Sequence, residues 1–149
     1  MLTFFLVATS VTPAMADCRM IAFSRSVALT RARDEVCIER GRLAGQFAFR
    51  RTATDRDGSV SVSSTYTDAC PAVWSLLKEV EQLELPRPDL PGFGKEVEFI
   101  TMDGAGYTLT TPSLYGGAMS RLVVQSNVNT PLARWIDRTL TTLKPCWRG

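Results

Sequence analysis

Histidine is missing altogether, and its absence removes Ser-His-Asp and Cys-His catalysis from what this chain can do alone. No Cys-x-x-Cys pair occurs. The four cysteines, Cys18, Cys37, Cys70 and Cys146, are spaced by 19, 33 and 76 residues. Structural zinc sites need closely spaced ligand pairs, so no metal ligand set is expected, and no cofactor. Apolar runs are short. The longest, from Leu2 to about Val11, falls well below the ~20 residues a transmembrane helix requires. No lysine or arginine precedes it. Nothing after Ala16 is a candidate membrane span.

That apolar run ends in Ala14-Met15-Ala16, the small-x-small pattern read by signal peptidase. Residues 1–16 are therefore expected to be a signal peptide, with a periplasmic or secreted destination. Acylation at Cys18 is disfavoured by the acidic Asp17 beside it. Removing residues 1–16 from 149 leaves 133, the size of one domain, so residues 17–149 are read as a single secreted unit. An exported chain with an even cysteine count is expected to carry disulfides. The pairing expected here is Cys37–Cys70 with Cys18–Cys146, the second tying the two termini together.

Charge is uneven along the chain. Residues 17–56 hold nine arginines against five acids, residues 57–103 three bases against nine acids, and residues 104–149 five bases against one. The net is only +2. A nucleic-acid binder usually shows a stronger and continuous basic stripe, so that role is excluded.

Hydrophobic spacing gives the fold. Ile21, Phe23, Val27 and Leu29 suit a strand, followed by a polar turn or short helix over Thr30–Glu35, although a helical stripe fits residues 22–36 equally well. Leu43, Phe47 and Phe49 alternate with polar or small residues at strand spacing. Asp55-Arg56-Asp57-Gly58 turns the chain, and Val60, Val62 and Tyr66 alternate with serine and threonine. A helix is expected to open at Pro71 with Asp68 as its cap, burying Val73, Leu76, Leu77, Val80 and Leu83. Pro86, Pro88 and Pro91 stop it. Residues 96–102 read as a strand. Residues 103–106 read as a turn, and a further strand through Tyr107, Leu109 and Thr111 is limited by Pro112. After a loop over residues 113–118, the last strand is Arg121–Ser126. Thr130-Pro131 is an N-cap followed by proline at N1, starting a helix that buries Leu132, Trp135, Ile136, Leu140 and Leu143.

The expected class is α+β: a single antiparallel sheet with two amphipathic helices packed on one face, disulfide-stapled. A shift of 60 residues superposes Pro71 on Pro131 and Leu76 on Ile136, so a duplicated ββα unit is one reading. Two core helices that merely share a stripe are the other, and the favoured one.

Candidate chemistry is thin. Ser75-Leu76-Leu77-Lys78 spells Ser-x-x-Lys, but no Lys-Thr-Gly follows and the chain is too short for that enzyme fold. Asp55-x-Asp57-Gly58 lacks the flanking acids of a calcium loop, having Ala53 and Ser64 there. Carboxylates such as Glu79, Glu81, Glu96 and Glu98 suit a solvated surface better than glycosidase chemistry. Binding is better served. Arg40, Arg42, Arg50 and Arg51 offer forked donors for carboxylate or phosphate. Phe93, Leu114 and Tyr115 lie on glycine-bearing loops, where aromatics anchor interfaces. The function expected is a non-enzymatic exported binding protein, an inhibitor or immunity-type partner of another exported protein. A small cell-wall hydrolase and an apolar-ligand carrier are the alternatives.

Overall fold

A computed structural model describes residues 18–84, 104–115 and 118–147. Six strands form one antiparallel sheet: β1 Ile21–Val27, β2 Arg33–Arg40, β3 Phe47–Thr54, β4 Val60–Tyr66, β5 Ala105–Tyr115 and β6 Ala118–Ser126. Two helices, α1 Val73–Val80 and α2 Pro131–Leu143, complete it, with a 3-10 turn over Lys144–Cys146. The spatial order is β4-β3-β2-β1-β5-β6. Three hairpin steps walk outward from β1 to β4, and the chain then returns to pair β5 with the other side of β1. The segment 96–102, read above as a strand, lies outside the described residues.

Register fixes which residues share a face. Ile38 stands opposite Ile21 and Phe49, and Phe23 opposite Val36 and Leu109. These side chains form the core together with Val124 of β6, Val73 and Leu76 of α1, and Leu132, Trp135, Ile136 and Leu143 of α2. Phe23 meets Trp135 edge-on, ring centres 5.2 Å apart. The opposite face carries its own small buried cluster of Cys18, Ala22 and Cys37.

Local chemistry accounts for the turns. Arg31 takes a left-handed φ of 56° between β1 and β2, and the Val27 amide donates to the Ala32 carbonyl at 2.9 Å. Gly58, at φ 84°, closes the β3–β4 hairpin as expected, its amide donating to the Asp55 carbonyl. Thr130 caps α2, accepting from the Ala133 amide at 3.1 Å with proline at the first position, as its sequence demands.

Several expectations are corrected. Residues 33–40, read in part as a turn or short helix, are the second strand of the sheet. In β4 the alternation holds, but Thr65 is the buried residue while Val60, Val62 and Tyr66 are exposed. Leu43 is exposed in the β2–β3 connection. The turn expected at residues 103–106 has Ala105 and Gly106 already in β5, opposite Val27 and Ser26. A Cβ at Gly106 would lie 3.1 Å from the Ser26 hydroxyl, so the close strand approach favours glycine there. Pro112 does not end β5. β1 pairs only as far as Thr110, so beyond it one side of β5 is open and a proline costs no bond to β1. The first helix starts at Val73 with Ala72 in the N-cap position and no side-chain cap, and Asp68 accepts from Gln46 Nε2 at 2.7 Å instead.

The disulfides are Cys18–Cys37 and Cys70–Cys146, not the pairing expected above. Successive strand residues point to opposite faces. With Val36 and Ile38 in the core, Cys37 faces away from it and meets Cys18 there. Cys70 lies in the main core, at the foot of α1, and meets Cys146 after α2.

Candidate functional site

The sequence-derived arginines do not converge. Neighbours in one strand, Arg50 and Arg51 project from opposite faces. Arg51 is engaged by Asp34, and Arg50 stands opposite Cys37 in register. Arg40 closes β2, and Arg42 is exposed in the following connection. Leu114 and Tyr115 belong to β5 rather than to a loop; Phe93 lies outside the described residues. Ser75 donates to the Ala72 carbonyl at 2.8 Å, and Glu79 pairs with Arg138 of α2 at 2.5 Å. Cys18, Cys37 and Glu39 lie close enough to suggest metal ligation, but both sulfurs are committed to their mutual bond.

Two polar sites bridge buried ground. Asp137 of α2 takes a hydrogen bond from the Tyr107 hydroxyl at 2.9 Å and an ion pair from Arg25 at 3.3 Å. Burial first, then the Asp137 carboxylate, pushes the Tyr107 hydroxyl above its ordinary pKa. The group therefore stays a neutral donor locking α2 to the sheet.

On the outer face Glu35 is only 4% exposed and meets Arg33 at 2.5 Å. Burial raises its pKa above the usual 4.5, and Arg33 only partly counters this. A raised carboxylate pKa means that Glu35 supports the fold fully below about pH 4.5. That support is lost as pH climbs through the raised folded value. Glu35→Gln should therefore gain stability relative to wild type between about pH 4 and pH 7. Urea midpoints at both values check it, and an advantage of the variant that shrinks with rising pH refutes it.

One recess lined by described residues is mainly apolar. It opens between α1, the ends of β1 and β3, and the β5–β6 hairpin, with a volume of about 690 Å³. Ile21, Phe47, Trp74, Leu77, Leu109 and Leu122 supply its walls. Lys78 and Glu81 stand one helical turn apart at its margin, and neither has an ion-pair partner among the described residues. Trp74 packs edge-on against Phe47 at 5.5 Å yet remains 44% exposed.

The sequence held a signal for this groove that the helical stripe alone did not reveal. Trp74 follows Val73 and extends the apolar arc of α1 beyond what one sheet contact covers. No family model, curated protein or solved structure matches the chain.

Proposed function

We propose that the protein is an exported binding protein that carries a small ligand with an elongated apolar body in the groove beside α1. In this reading both helices form one layer on the core face, and the groove is the part of that face which α2 leaves uncovered. The observation that carries it is the groove itself. Its volume lies within the usual range for small-molecule sites, and its walls are predominantly aliphatic and aromatic. Lys78 and Glu81 at the margin leave a polar head group in water while the hydrocarbon body is buried. Export is supported by the leader-like residues 1–16 and by all four cysteines being joined in disulfides. Among the described residues no helix is long and apolar enough to cross a membrane.

The test uses a brominated long-chain fatty acid, whose bromine quenches tryptophan on contact. Saturable quenching of Trp74 fluorescence is expected, with affinity falling at least about tenfold in Leu77→Asp, because burying one leucine side chain is worth ~1.5–3 kcal/mol. Far-ultraviolet circular dichroism confirms that the variant is folded. Absence of saturable quenching, or undiminished binding by the folded variant, ends this reading.

A further inference from the structure

We propose that two copies of this chain join edge to edge through β4, antiparallel, with Ser63 of each copy on the twofold axis. The inference stands on the strand's backbone and is independent of the groove.

β4 pairs with β3 alone among the described strands, so its other side is an edge. The direction of its hydrogen-bonding groups follows from the two ends of the hairpin. The Thr67 amide donates to the Phe47 carbonyl at 3.1 Å, and the Asp55 amide to the Ser59 carbonyl at 2.9 Å. Both lie in the register that places Arg51 opposite Ser63. In an antiparallel pair hydrogen-bonded positions alternate with non-bonded ones. Ser61, Ser63 and Thr65 therefore turn their backbone groups to β3. Val60, Val62 and Ser64 turn theirs outward, as does the Tyr66 amide; the Tyr66 carbonyl already accepts from the Ala69 and Cys70 amides.

This edge lacks the usual protections. From Val60 to Tyr66 there is no charge, no proline and no glycine. Natural sheet edges are normally guarded by lysine, proline or bulges to prevent strand addition. β6, the other edge strand, carries Arg121 in mid-strand. The outward-bonding residues of β4 also carry the exposed apolar side chains, with Val60 63%, Val62 59% and Tyr66 41% accessible. An incoming strand would gain backbone bonds and side-chain contacts at the same positions.

The pattern fits itself. With Ser63 on the axis, Val60 stands opposite Tyr66 of the second copy and Val62 opposite Ser64, all on one face. Pairs of β-branched and aromatic residues are among the favourable cross-strand combinations. Shifting the axis to Val62 moves Tyr66 out to Gly58, and shifting it to Ser64 sets Val60 against Asp68. Only the Ser63 register keeps all four outward residues matched within the strand. The uncharged stretch removes the like-charge repulsion that otherwise opposes self-pairing.

Sedimentation equilibrium of the exported, disulfide-intact chain over roughly 1–100 μM, a span suited to an interface of modest size, is expected to show a dimer. Val62→Lys, at an exposed position, should raise the dimer dissociation constant at least about a hundredfold, while its far-ultraviolet circular dichroism is unchanged. Ser63→Cys should form a covalent dimer through residue 63, since facing non-bonded positions lie about 4.5 Å apart between Cα atoms. Ser61→Cys should not. A wild-type monomer throughout overturns the proposal. So does a dimer indifferent to Val62→Lys, or one that leaves the Ser63→Cys thiols free.

Discussion

Phe23→Ala is expected to destabilise the domain by about 4 kcal/mol, within the range measured for truncating a buried phenylalanine. Three observations place this residue at the high end of core substitutions. It is fully buried. Its strand, β1, is hydrogen-bonded on both sides, to β2 and β5. Its ring meets Trp135 edge-on at 5.2 Å, an arrangement worth about 0.5–1.5 kcal/mol beyond area burial. The cavity left behind is bounded by paired strands and by α2, so little can collapse into it. Leu29→Ala makes the contrast: that side chain is 74% exposed in the β1–β2 turn, and its loss should fall within about 0.5 kcal/mol of neutral. Against a total stability of roughly 5–15 kcal/mol, that loss removes between about a quarter and four-fifths of the total. Denaturant titration of both variants checks it. A Phe23→Ala cost below about 1 kcal/mol would contradict the placement of β1 at the centre of the core.

The same residues show what could be read from the chain and what could not. Thr130-Pro131 and Asp55–Gly58 are local devices whose chemistry is complete within four or five residues, and both do in the structure what their sequence demands. β2 was obscured because Val36-Cys37-Ile38 presents three apolar residues in succession. Cys37 faces its own disulfide cluster and not the main core, so burial on both faces hid the period. Val60 and Val62 misled in the opposite way. Their alternation reports a strand correctly but says nothing of which face is buried, and here it is Thr65, opposite Phe49, that faces the core. Pro112 ended a strand in the sequence reading because its tolerance depends on whether a neighbour is present, which is a property of the sheet. The candidate site was least legible. Arg50 and Arg51 are adjacent in the chain and divided by the strand's pleat, whereas the groove gathers Ile21, Trp74 and Leu122 from three distant elements. Convergence of that kind is decided by topology.

Topology also ranks the two disulfides, and the second large effect follows from it. Removing Cys70–Cys146 by a double change to alanine should cost about 4.5 kcal/mol, and removing Cys18–Cys37 about 3 kcal/mol, on the chain-entropy account of loop closure. The difference comes from separations of 76 and 19 residues. The two loops do not overlap in sequence, so each constrains its own part of the unfolded chain and the costs should add. Native packing reinforces the order. Cys70 precedes α1 and Cys146 follows α2, so their bond ties the helix beside the groove to the helix that covers Phe23. Cys18–Cys37 secures only the segment just before β1 to β2, on the far side of the sheet. Loss of the longer cross-link should lower the melting temperature by roughly 10–20 °C. It should also weaken fatty-acid binding, because α1 is held to α2 by few other bonds among the described residues, Arg138 with Glu79 being the ion pair. Calorimetry of the two double variants decides the matter: a larger loss from the Cys18–Cys37 pair would mean that the outer cluster, and not the tie between the helices, governs stability.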